Sequence, residues 1–254
     1  MNTVSLDGGQ PIMILIPLSG GSPLPHKISY SVSPLYELAA SLHALAQETP
    51  DPRLADWAAD VLAGFRAARI SSDWEYFRPM FTRAIPDAFD PVQTRGVMAV
   101  DDQYNYFFTL SEEAFVDNLR PMLDAWETRC EDVPLAADLR EDPAFVKGRF
   151  NLFLSTYWQL FFASQWEALA PRFVREAERI HLSLRSLDEI TSYLRIIDPR
   201  FRYDDEQEQL VWENGDPGAQ PVQQLVLSPS HFYTAAASLI KKGETAHLLY
   251  RFEQ

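Results

Sequence analysis

The sequence predicts an α+β fold: a mainly helical bundle with a small, mostly antiparallel sheet, formed by the C-terminal strands and joined by an N-terminal strand. Three observations carry that expectation. Between residues 34 and 197, apolar residues recur at helical spacing in one segment after another. From residue 198 the period shortens, and Phe201, Tyr203, Leu210 and Trp212 alternate with polar residues as strands do. The densest apolar stretch, Arg149 to Val174 (RFNLFLSTYWQLFFASQWEALAPRFV), is apolar on more than one face, the mark of a helix touching several layers. A chain of 254 residues, 46% hydrophobic, has material for a sizeable core. One domain spanning 1–254 is expected, with a helical part at 34–197 and a sheet part at 1–32 and 198–254.

Taken in order, Ile12 to Leu18 reads as a strand that Pro11 and Pro17 confine to an edge or an end. Lys27 to Val32 alternates weakly, as a short strand does. Ser33-Pro34 is a cap followed by proline and starts a helix with the stripe Leu35, Leu38, Leu42 and Leu45. Asp51-Pro52 repeats the signal before Leu54, Trp57, Val61 and Phe65. Ser71 or Ser72 caps a third segment carrying Trp74, Phe77, Met80 and Phe81, bent by Pro79. Residues 85 to 100, with two prolines and a glycine, read as irregular. Ser111 opens a helix with acids in its first turn and a stripe of Phe115, Leu119, Met122 or Leu123, and Trp126. Residues 131 to 141 read as a solvated connection or a pair of short turns.

Asp142-Pro143 starts either the long aromatic helix or a short helix before it, and the long helix carries on past Pro171 as a kinked element to Leu184. Phe150, Leu154, Trp158, Phe161 and Gln165 fall near one face of it. Phe153, Tyr157, Leu160 and Ala168 cover a neighbouring face. Ser186 to Glu189 is a capping box for a helix burying Ile190, Tyr193, Leu194 and Ile197. Beyond Asp198-Pro199 come the strands, with turns at 204–209 and 214–218. Further strands are expected near 225–227 and 246–252, and a helix over 234–240 ended by Gly243.

The chain carries 22 Lys and Arg against 36 Asp and Glu, a formal net charge of −14. Such a surface repels nucleic acid at long range. The single cysteine, Cys130, excludes an internal disulfide and fits a reducing compartment. The run PIMILIPL is too short to span a bilayer, and no membrane is expected as a partner. The expected location is the cytoplasm.

The sequence lacks the glycine-rich dinucleotide and P-loop fingerprints, the nucleophile elbow and the paired-histidine zinc motif. The glycine pairs at 8–9 and 20–21 read as turns. None of His26, His43, His181, His231 and His247 pair at helical ligand spacing. His43 reads as a rim residue, and a metal between His231 and His247 across a sheet is the weaker reading beside structural histidine. Asp101-Asp102 reads as a solvated turn, because adjacent carboxylates point apart. Carboxylate neighbours oppose activation of Cys130. No catalytic, cofactor-binding or metal-binding residue is assigned, and no cofactor is expected.

The aromatic surplus, six Trp, ten Tyr and sixteen Phe, reads either as a well-filled core or as material for binding. Tryptophan commonly leaves its N–H at a cavity or interface. A hydrophobic pocket between helices is expected at Trp126, Tyr157, Trp158, Phe161 and Trp166. A homodimer interface would use the same surplus.

Five segments carry a resemblance: YSVSPLYELAASLHAL at 30–45, RLADWAADVL at 53–62, FNLFLSTYWQLFFASQWEAL at 150–169, LVLSPSHFYTAA at 225–236 and HLLYRF at 247–252. In that order they resemble the N-terminal regulatory region of long bacterial ArsR-like winged-helix transcriptional regulators. The resemblance covers residues 28 to 252, and QPIMILIPLSGG lies outside it. It implies a regulatory domain that reaches DNA only through a winged-helix region absent from this chain. It carries over no ligand and no functional residue. The expected function is a ligand-sensing or protein-interaction module of a transcriptional regulator, not the DNA-reading part and not an enzyme. Its expected partners are a hydrophobic small molecule and a second copy of itself. The rivals are an enzyme acting on a small molecule in an aromatic pocket, and a structural dimerisation module.

Overall fold

The computed structural model describes residues 4–5, 12–18, 23–86, 89, 96–100, 108–214, 218–234 and 237–252. The glycine pairs at 8–9 and 20–21, the Asp101-Asp102 pair with residues 105–107, much of the 85–100 segment and turn positions 215–217 lie outside the described residues.

The described residues form an α+β fold. In chain order they give β1 (Val4–Ser5), β2 (Ile12–Pro17), α1 (Leu24–Lys27), β3 (Ile28–Val32), α2 (Pro34–Ala46), α3 (Ala55–Ala67), α4 (Ser71–Phe77) and a 3-10 turn (Arg78–Phe81). Next come β4 (Gly96–Val97), α5 (Glu112–Thr128), α6 (Pro134–Glu141), α7 (Pro143–Tyr157), a π turn (Trp158–Phe162), α8 (Ala163–Ser183) and α9 (Leu187–Ile197). The chain continues with β5 (Phe201–Asp204), β6 (Gln209–Asn214), β7 (Gly218–Pro221), β8 (Gln224–Ser230), β9 (Ala237–Lys242) and β10 (Thr245–Arg251).

Four of the expected caps form. Ser33 Oγ accepts from Tyr36 N–H at 3.0 Å, Ser111 Oγ from Ala114 at 3.1 Å, Asp142 Oδ1 from Phe145 at 2.9 Å and Ser186 Oγ from Glu189 at 3.2 Å. Each satisfies an amide that the first turn leaves without a helical partner. Two expected starts differ. Asp51 closes a turn on Arg53 N–H, and α3 begins only at Ala55. Ser71 lies inside α4, with Ile70 at the cap position. The expected connection over 131–141 is helical from Pro134, because Leu135, Ala136 and Leu139 share one buried face. The expected helix over 234–240 is overturned, since residues 237–242 are strand β9, paired with β10 and β1. Gly243, at φ +59°, serves the tight β9–β10 hairpin turn and not a helix end.

The chain divides into two compact units. One comprises Met1–Val32, Pro91–Met98 and Ala170–Gln254, and the other comprises Ser33–Asp90 and Ala99–Leu169. The first holds two sheets where the sequence suggests one: six strands in the order β1-β9-β10-β8-β3-β4 and four in the order β5-β6-β2-β7. Pairing is antiparallel at β1–β9, β9–β10, β2–β6 and β5–β6, and parallel at β8–β10, β3–β8, β3–β4 and β2–β7. The N-terminal region thus supplies strands to both sheets.

Two buried polar clusters fasten this unit. Tyr193 of α9 and Tyr250 of β10 both bring their hydroxyls to Glu176 Oε1 of α8, at 2.5 and 2.9 Å, and lie 2.7 Å from each other. Burial, and then the adjacent carboxylate, push the Tyr193 phenol well above its ordinary range. Tyr250 shifts the same way. Both therefore stay protonated as donors.

Asp198, 3% exposed, closes the α9–β5 turn. It accepts from Trp212 Nε1 at 2.8 Å and from Arg200 Nε and Nη2 at 2.9 and 2.7 Å. Burial alone would raise its carboxyl, but these donors together hold it below the usual carboxylate range. A depressed folded-state value means that this contribution is complete above about pH 3.9 and is lost as pH falls through the folded value. Asp198→Ala should lower stability by about 1–3 kcal/mol at neutral pH, because Trp212 N–H is left buried without an acceptor. In urea titrations at decreasing pH, the wild-type advantage over the variant should shrink only below about pH 4. A constant advantage down to strong acid would contradict this account.

Candidate functional site

The second unit is built on α7, the π turn and the start of α8. Phe150, Phe153, Leu154, Tyr157 and Phe162 are essentially inaccessible, and Trp166 and Leu169 are buried. Phe150 lies under Phe77, Phe81, Phe89 and Phe115, with ring centroids 4.9 to 6.3 Å away. Phe65 meets Phe153, Tyr157 and Phe161 edge-on. A Cβ at Gly64 would stand 2.4 Å from Phe161, so glycine is what lets α3 approach this closely. Tyr157, inside the cluster, shares a 2.7 Å hydrogen bond with Ser41 Oγ of α2.

The π turn explains why the sequence places two side chains wrongly. Up to Tyr157 the buried positions follow α spacing: Val146, Phe150, Phe153 and Leu154, Tyr157. The next are Phe162, Trp166, Leu169 and Phe173, also α-spaced but five residues on from Tyr157. One extra residue, worth about 100° of rotation, joins the two stripes through the Ala163 N–H to Trp158 carbonyl bond. Leu160 and Ala168, assigned inward by uninterrupted periodicity, are exposed as a result.

The structure brings three of the five residues expected to line a pocket, Tyr157, Trp158 and Phe161, into one aromatic cluster. Tyr157 is sealed in the core. Phe161 packs on Phe65, and Trp158 on Phe162 at 5.4 Å between centroids. Trp166 is 8% exposed. Trp126 stands at a cleft of about 220 Å³.

The Trp126 cleft is the candidate site. One wall is α5, with Pro121, Met122, Ala125 and Trp126, and the other is the chain around Met80, Ile85 and Pro86. Pro121 lies inside α5 and has no N–H for the preceding turn, so the helix lacks one backbone bond beside the cleft. Arg83 and Arg129 stand at its rim, Arg83 paired with Glu131. The space is below the usual range for drug-sized ligands and suits a single ring or a short aliphatic chain. The sequence singles out Trp126, and Met80 as part of a buried stripe, but gives no sign that Arg83 to Pro86 form the opposite wall.

Other singled-out residues have structural places. His43 is half-buried, 2.5 Å from the Phe81 carbonyl, and burial lowers its pKa although that bond opposes the shift. His247 is buried in β10 between Val226 and Ile240. Cys130 is exposed, in a left-handed turn at φ 54° after α5. Among the described residues there is no cluster of three or more potential metal ligands, and no helix is long and apolar enough to cross a membrane.

Residues 16–129 match a family of unknown function, DUF5937. All the cleft-lining residues fall inside that stretch, and the hub at 150–169 falls outside it. No curated protein and no solved structure matches the chain.

Proposed function

We propose that this chain is the ligand-sensing module of a transcriptional regulator and not the part that reads DNA. The observation that carries the reading is the Trp126 cleft: an apolar slot beside a proline-interrupted helix, with arginines at its mouth. An apolar floor and a cationic rim suit a small apolar acid. Occupancy would be felt by α5, whose ladder is already broken at Pro121. The ordered resemblance to regulatory regions of ArsR-like regulators supports the biological setting. The net charge of −14 agrees with DNA contact lying elsewhere.

Benzoate is a suitable probe. It should raise the melting temperature of the full chain in a dose-dependent way. Ala125→Phe, which fills the slot, should abolish the shift, and Arg129→Gln should weaken it. No shift with benzoate, or an equal shift in Ala125→Phe, would contradict the reading.

A further inference from the structure

The outer face of the long helix has a pattern that neither the core nor the Trp126 cleft uses. From Phe150 to Trp166 the chain has no charged residue, in a protein where 23% of residues are charged. The inward half of that segment is core, yet Leu152 is 69% and Leu160 57% exposed. Every fourth residue along the outer face reads Gly148, Leu152, Thr156, Leu160, Ser164. The order is symmetric in size about Thr156: small, large, medium, large, small. Ala144 and Ala168, both exposed, extend the symmetry at either end. The π turn keeps this ridge on one side, since its extra residue offsets the drift that spacing of four accumulates on an α-helix.

We infer that this ridge is the contact surface for a second copy of the chain, packed antiparallel about a two-fold axis through Thr156. In a two-fold contact residue i meets j and j meets i. Here Leu152 of each copy meets Leu160 of the other, and Gly148 meets Ser164. Rows at i±4 are the ridges by which crossed helices interdigitate. The absence of charge bears on how a second copy can approach. Two copies of net charge −14 repel over most approaches, and between Phe150 and Trp166, flanked by Arg149 and Glu167, they meet without placing charge on charge. The contact area sets the strength. A 25-residue ridge, Ala144 to Ala168, is about 37 Å long and about 10 Å wide, roughly half of the ~800 Å² per partner of a standard interface. The pair is therefore weak and reversible, and it strengthens with added salt, which screens the repulsion.

Sedimentation velocity of the full chain over a concentration series tests this. The expected result is a monomer–dimer equilibrium shifted towards dimer by salt. Leu152→Glu and Leu160→Glu, at exposed positions, should each give monomer with unchanged circular dichroism. In a Cys130→Ser background, Thr156→Cys should form a disulfide-linked dimer under mild oxidation, because only the axial residue meets itself. A strict monomer at all concentrations, a dimer that survives Leu152→Glu, or no cross-link at position 156 would each overturn the inference. So would Leu152-dependent capture by phosphatidylcholine vesicles of a protein that stays monomeric.

Discussion

Phe150→Ala is expected to destabilise the unit around α7 by about 3–5 kcal/mol, the range for removing a large aromatic from a close-packed interior. The ring is fully buried and has four aromatic neighbours, Phe77, Phe81, Phe89 and Phe115, from three different segments of the chain. Those rings cannot all collapse into the space it leaves, so the cavity cost adds to the lost transfer energy. In a melt followed by near-ultraviolet circular dichroism, the midpoint should fall by roughly 6–20 °C, at about 2–4 °C per kcal/mol for a chain of this size. Phe145→Ala is the control. Its ring is on the same helix but 58% exposed, and the change should stay within about 0.5 kcal/mol. Similar losses for the two variants would mean that Phe150 is not at the centre of the packing.

The cluster around Phe150 was legible in the sequence because it depends on local regularity. Ser33, Ser111, Asp142 and Ser186 each precede an apolar stripe, and each caps a helix. Where local signals conflict, tertiary contacts decide. Residues 237–242, ASLIKK, are a short apolar run that suits a helix or a strand. Ladders to β10 and β1 make it a strand. Acids at 131 and 132 obscure the short buried stripe of α6, which shows only in its packing, where Tyr76 of α4 donates to Asp138 of α6.

The candidate site was legible in part. A tryptophan surplus identifies residue types that line cavities, but not which of them face one. On the densest helix Tyr157 and Trp166 are buried, while Trp158 and Phe161 are half-buried and pack on Phe162 and Phe65. Trp126 reaches a cleft because α5 is interrupted at Pro121 and faces an irregular wall. The π turn was not legible, because a single added residue changes no composition and leaves each half of the helix periodic.

The two halves of that helix supply the central claim: two stripes, out of phase in sequence, brought onto one core by one extra residue. Deleting Leu160 and deleting Leu152 removes the same side chain from comparably exposed positions, 57% and 69% accessible. Loss of Leu160 turns the π turn into regular α-helix and leaves Tyr157 and Phe162 four residues apart, still on one face. Loss of Leu152 rotates the rest of the helix by about 100°, bringing Ser155 to the place of Leu154 and Trp158 to that of Tyr157. The decisive measurement is urea unfolding of both deletions in dilute solution. The account predicts a cooperative transition within about 1.5 kcal/mol of wild type for the Leu160 deletion, and loss of a cooperative transition for the Leu152 deletion. Equal damage from the two deletions, or a more stable Leu152 deletion, would contradict it.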